Sequence, residues 1–225
     1  HSLKGYGVED MEEGIVAAGA VLHYLGDTVH PNTSHIASIH RINRDEYLWM
    51  DQFTIRNLEL IYTGVEGGAT LLKTIDSTVS PMGARLMRRW VLMPLVQKEQ
   101  IEERASLVAD IMANRDWKAG VLQSIKQCGD IERLASKIPP RKIGPREMLQ
   151  LANGLEQVSL IKVAAEDLQD PYLFRLAEQL NGCSIIKEKI IREIADDAPA
   201  QTVKGGYIAT GVDADLDHYR SLARG

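Results

Sequence analysis

One helix in this chain has both of its ends spelled out in residues, and it constrains the fold more than any other feature. It lies within residues 78–95, TVSPMGARLMRRWVLMPL. Ser80 can accept the orphan amide hydrogens of a first turn, and Pro81 takes the first helical position, where a missing N–H costs nothing. Pro94 forces an end. At about 100° per residue, Met82, Leu86, Met87, Trp90 and Val91 share one side, while Arg85, Arg88 and Arg89 take the other. The apolar arc, Trp90 included, is expected to be largely buried against neighbouring elements.

The rest of the chain can supply those neighbours. Its 225 residues are 44% hydrophobic, enough for one large core or two small ones. The net charge is −5, from 31 acidic and 26 basic residues. Phosphate neutralisation supplies most of a nucleic-acid binder's affinity, so this balance does not suggest DNA binding by this stretch alone. Cys128 and Cys183 lie far apart with no CxxC pairing, which points to a reduced, intracellular (cytoplasmic) protein without disulfide or zinc framework. The longest apolar run, residues 15–22, falls short of the roughly 20 residues a membrane span needs, so no membrane partner is expected. No signal peptide is visible, the first residue is not Met, and the last thirteen residues read as a helix still running. Both ends are therefore expected to be cuts in a longer protein.

Periodicity predicts a helix over about residues 11–25, with Ile15, Ala18, Leu22 and Leu25 in register, then a loop at Pro31 to Ser34. Residues 36–42 and 47–50 flank the polar turn Asn43-Arg44-Asp45-Glu46, a hairpin pattern. Asp51 is placed to cap the next helix, through Ile55 and Leu58. From Gly67 on, helix follows helix: a short one at residues 71–75, the 81–93 helix, then one whose Ile101, Ala105, Val108 and Met112 form a narrow seam suited to packing along another helix. Asp130 opens a helix that Pro139-Pro140 stops. Gly144-Pro145 starts another, with Met148, Leu151, Leu155 and Val158 as its stripe. Asp170-Pro171 begins one that ends at Asn181-Gly182, and Ser184 is placed to cap a last one carrying Ile186, Ile190 and Ile194. Residues 202–209 read as a glycine-turn hairpin. The predicted class is mostly α, with two minor β-hairpins.

Three patterns invite chemistry. Gly64, Gly67 and Gly68, then Lys73-Thr74, evoke a phosphate loop, but GxxxxGK[ST] needs its lysine directly after the last glycine, and Lys73 falls inside a predicted helix. His30, His35 and His40 recur every five residues, which fits neither a helix face nor a strand face, and no cysteine or HExxH completes a metal set. Arg85, Arg88, Arg89, Arg141, Lys142 and Arg146 could touch phosphates; the plainer reading is a solvated surface partly answered by Glu99, Glu102, Glu103 and Glu147. No nucleophile–base constellation follows from spacing. No residue is expected to serve catalysis, a cofactor or a metal, and spacing singles out no DNA-contacting residue.

The signature stretch also resembles the core domain of MutS, the DNA mismatch-recognition ATPase family. Further blocks follow in family order: SLKGYGVEDMEEGIVAAGAVLHYL, YLWMDQFTIRNLEL, GGATLLKTIDSTVSPMGARLMRRWVLMPL, IEERASLVADI, GDIERLASKI, PREMLQL and GGYIATGVDADLDHYR. The family usually has aspartate where this chain has Gln97, so no strong cap is expected for the Ile101 helix.

The resemblance implies residues 1–34 as the tail of a connector domain and 35–225 as a helical core, or lever, domain cut before the clamp. It implies a non-catalytic lever that links a DNA-gripping clamp to an ATPase. Mismatched duplex DNA, the partner protein MutL, ATP with magnesium, and a homodimer would all belong to the parent chain. The family's Phe-x-Glu mismatch reader and P-loop have no counterpart in the sequence. A helical protein-interaction scaffold unrelated to DNA is the alternative, and a nucleotide enzyme using Gly64 to Thr74 comes third.

Overall fold

A computed structural model describes Val8 and residues 10–28, 36, 38–39, 41–42, 44–168 and 170–224. Eleven α-helices occur among these residues: α1 Glu12–Asp27, α2 Gln52–Asn57, α3 Leu71–Ile75, α4 Pro81–Leu92, α5 Lys98–Ala113, α6 Arg115–Cys128, α7 Ile131–Ser136, α8 Pro145–Asp167, α9 Pro171–Glu178, α10 Ser184–Glu193 and α11 Ala214–Arg224. The loop expected at Pro31 to Ser34 lies outside the described residues, as do residues 37, 40 and 43 of the first expected hairpin.

Helix starts follow cap chemistry. The Asp51 carboxylate accepts from Thr54 N at 2.7 Å, Thr70 Oγ1 from Lys73 N at 3.1 Å and Asp170 from Leu173 N at 2.7 Å. Two other helix starts lack a side-chain cap, one as expected and one not. Gln97 leaves the α5 amides alone, as its chemistry suggests, and donates instead to Asp45 O at 3.3 Å. Ser184 is the first residue of α10, and the cap position falls to Cys183, in a left-handed conformation (φ 46°) with no side-chain cap.

The 23-residue α8, about 35 Å long, is the axis of the packed part. It contacts α6, α7, α9 and α10, and its Leu151, Ala152, Gly154, Val158 and Ala165 are buried. The predicted stripe faces inward. Helix α6, which the sequence reading did not single out, runs antiparallel beside it. Trp117 Nε1 donates to Ala164 O at 2.6 Å, and the buried Cys128 Sγ reaches Gly154 O at 3.5 Å. On the other side Lys187 pairs with Glu156, and Lys162 Nζ donates to Leu180 O at 2.9 Å.

Among the described residues neither expected β-hairpin forms and no sheet occurs. Tyr47 makes an isolated antiparallel bridge to Leu95 beyond α4, with Leu48 N on Pro94 O at 2.8 Å and Val96 N on Glu46 O at 3.1 Å. Ile208 bridges to Ile194, with Ala195 N on Tyr207 O at 3.0 Å and Ala209 N on Glu193 O at 2.9 Å. In both places the extended residues pair with the chain leaving a helix. The polar turn at 44–46 is a single 3-10 turn, and so are residues 202–204.

The α5 seam also departs from expectation. Ile101, Val108 and Met112 are exposed, while Leu107, off the seam, is the buried residue of the helix. No helix among the described residues is long and apolar enough to cross a membrane.

Candidate coupling site on the signature helix

Helix α4 is assembled as its sequence dictates and then tied to three other parts of the chain. The Asp76 carboxylate accepts from Thr78 N at 2.9 Å and Thr78 Oγ1 at 2.7 Å, fixing the approach, and these bonds hold its pKa below the usual carboxylate value. Ser80 Oγ accepts from Gly83 N at 3.1 Å, with Pro81 at the first helical position. At the far end the helix stops at Leu92, two residues before Pro94.

Arg85 is the strongest tie. Its guanidinium grips Asp130 with two bonds, Nη1 to Oδ2 at 3.0 Å and Nη2 to Oδ1 at 2.7 Å. It also reaches Glu132 Oε2, from Nε at 3.1 Å and Nη2 at 2.6 Å. Asp130 is at the same time the N-cap of α7, accepting from Arg133 N at 3.3 Å. One carboxylate thus starts α7 and fastens it to α4. The Arg85 bond holds the Asp130 carboxyl below its ordinary pKa, and the two carboxylates push the Arg85 guanidinium up. Bidentate arginine–carboxylate geometry adds direction as well as strength.

Because the Asp130 pKa is depressed on folding, its contribution is present above the unfolded value, about 3.9, and is lost as pH falls through the folded value. Lowering pH from 6 to about 3 is expected to reduce the denaturant midpoint less in Asp130→Asn, which keeps the cap, than in wild type. Equal falls in urea titrations would show that Asp130 ionisation does not hold α7.

The other two ties are lighter. Arg88 Nη2 donates to Tyr62 Oη at 3.2 Å, with its guanidinium 5.7 Å from that ring's centre. Arg104 of α5 lies 4.2 Å over the Trp90 ring. Trp90 was expected to be largely buried, yet it is 42% exposed, and Leu86 is 48% exposed. The apolar arc of α4 is only half covered, and a cation sits on part of it.

The remaining candidates separate. Arg89, Arg141, Lys142 and Arg146 are exposed and have no partner among the described residues. The glutamates expected to answer the arginines answer other groups: Glu102 pairs with Lys98 at 3.5 Å, Glu103 with Arg175, and Glu147 with Lys137. The partners of Arg85 lie 45 and 47 residues away, beyond the reach of any spacing rule. His30, His35 and His40 lie outside the described residues, and no group of three metal-binding side chains occurs among the described ones. Gly67 is left-handed (φ 75°), Leu71 N and Leu72 N bond back to Glu59 O and Leu60 O, and Lys73 sits within α3.

The site is therefore a helical element held to its neighbours by charged links between helices. Residues 53–224 match the family model of MutS domain III. The chain is 44% identical over 222 residues to the DNA mismatch repair protein MutS of Christiangramia forsetii, and the match covers 99% of this chain and 26% of that protein. Identity is 45% to the MutS of Phocaeicola vulgatus and 40% to that of Cytophaga hutchinsonii, with the same coverage. The chain belongs to the MutS family of DNA mismatch repair proteins, and it spans about a quarter of the length of these relatives.

Proposed function

We propose that this chain is the non-catalytic lever of a mismatch-recognition ATPase, coupling a clamp on mismatched DNA to an ATPase domain elsewhere in the parent protein. On this reading residues 1–34 are the connector tail and 35–225 the core domain. ATP and magnesium bind outside the chain, and MutL and a second parent copy are partners of the whole protein, in the cytoplasm. The observation that carries the reading is Arg85. A lever has to move its helices as linked bodies, and this side chain joins the signature helix to the cap and first turn of α7 by four hydrogen bonds. Coupling between two sites is itself a free energy, so it can be weakened without weakening either site.

The test uses the full-length protein that carries this chain. Arg85→Gln is expected to leave mismatch affinity and basal ATPase close to wild type while slowing ATP-triggered release from a G·T duplex by about fivefold or more. Unchanged release kinetics would remove Arg85 from the coupling. Parallel loss of both binding and ATPase would mean that the residue is purely structural.

A further inference from the structure

The corner between α7 and α8 concentrates positive charge on an acidic chain. Between Arg133 and Glu147 there are five cations (Arg133, Lys137, Arg141, Lys142, Arg146) and one carboxylate, so a chain of net −5 carries +4 in this segment and −9 elsewhere. The single carboxylate is already engaged. Glu147 accepts from Gly144 N at 3.0 Å and pairs with Lys137, whose hydrogen bond is the main cause of its depressed pKa, with Arg133 close enough to add to the effect. Asp130 and Glu132, just before the segment, are held by Arg85. Arg141, Lys142 and Arg146 are left exposed with no partner among the described residues.

The backbone presents two of these three in an unusual way. Lys142 N donates to Lys137 O and Arg141 N to Ile138 O, both at 2.9 Å, the paired bonds of a helix-ending turn whose left-handed position is normally glycine. Here Arg141 holds that position, at φ 55°. Glycine would relieve the backbone there; the chain instead places a guanidinium at the tip of the corner.

We infer that the α7–α8 corner, through Arg141, Lys142 and Arg146, binds the phosphate backbone of duplex DNA, without base readout and without preference for a mismatch. Three unneutralised cations on one corner suit a polyanion, and such contacts carry no sequence information. The choice of DNA among polyanions rests on the proposed role in mismatch repair. The Arg85 release experiment does not depend on this corner, so either reading can fail alone.

The test is fluorescence anisotropy of the 225-residue chain on matched and G·T duplexes over a salt series. The triple variant Arg141→Gly, Lys142→Ala, Arg146→Ala is compared with Arg115→Ala, Lys118→Ala, Lys126→Ala on α6, an equal charge change. Wild type is expected to bind no tighter than about 10⁻⁶ M at physiological salt and equally on both duplexes. The corner variant should bind about tenfold more weakly or worse at low salt, with a salt slope shallower by about 3, while the α6 variant stays near wild type. Loss of the same size in both variants, or no loss at the corner, overturns the inference. So does equally tight capture by poly-glutamate, which would make the partner an acidic polypeptide. Circular dichroism checks folding. Arg146→Ala alone, expected to flatten the slope by about 1, provides a second, milder variant.

Discussion

Gly154→Ala is expected to destabilise the chain by about 1–3 kcal/mol, although helix propensity alone predicts a gain of about 1 kcal/mol. The position lies inside α8, where alanine is normally the better residue. A methyl added there would sit 2.3 Å from Ile131 Cγ2 and 2.7 Å from Cys128 O. The isoleucine can rotate aside; the backbone carbonyl can move only if the end of α6 moves with it. That displacement would disturb the Cys128 Sγ contact to Gly154 O and the start of α7, which carries the Arg85 clamp. Chemical denaturation of the two proteins checks the sign. A stabilised variant would mean that α6 and α8 do not approach each other this closely.

Where the sequence was legible, local chemistry decided the outcome. Ser80, Asp51, Asp130 and Asp170 all cap the helices their positions announce, because a cap needs only a side chain and an amide three residues on. Leu151 and Val158 of the α8 stripe are buried, and Met148 and Leu155 partly so, for an equally simple reason: three neighbouring helices and α7 surround them. The misses concern partners. Extended residues at 47 and 208 are paired, but across 48 residues with Leu95 and back to Ile194, so alternation correctly marked extension and wrongly supplied the mate. The α5 seam has helical spacing and stays exposed, since periodicity tells which residues share a face and not whether anything covers it. Helix α6 escaped notice because its apolar Trp117, Val121 and Leu122 are interrupted by Gly120 and polar residues. For the candidate site, the arginines of α4 were visible as a set. Their separation into a clamp at Arg85, a ring contact at Arg88 and an exposed Arg89 required the fold.

Leu151→Ala is expected to cost about 2–5 kcal/mol, and Leu160→Ala on the same helix less than about 1 kcal/mol. The comparison holds helix propensity and side-chain chemistry constant and changes only the surroundings. Leu151 is 6% exposed on the face of α8 that meets the neighbouring helices, so truncation leaves a cavity as well as losing transfer free energy. Leu160 is 48% exposed, so roughly half of its side chain is already in water and no closed cavity follows its removal. Urea midpoints at constant slope give both values directly. Equal costs would place the core elsewhere along α8. A large cost at Leu160 alone would mean that something in solution covers its face, which a dependence of the midpoint on protein concentration would reveal.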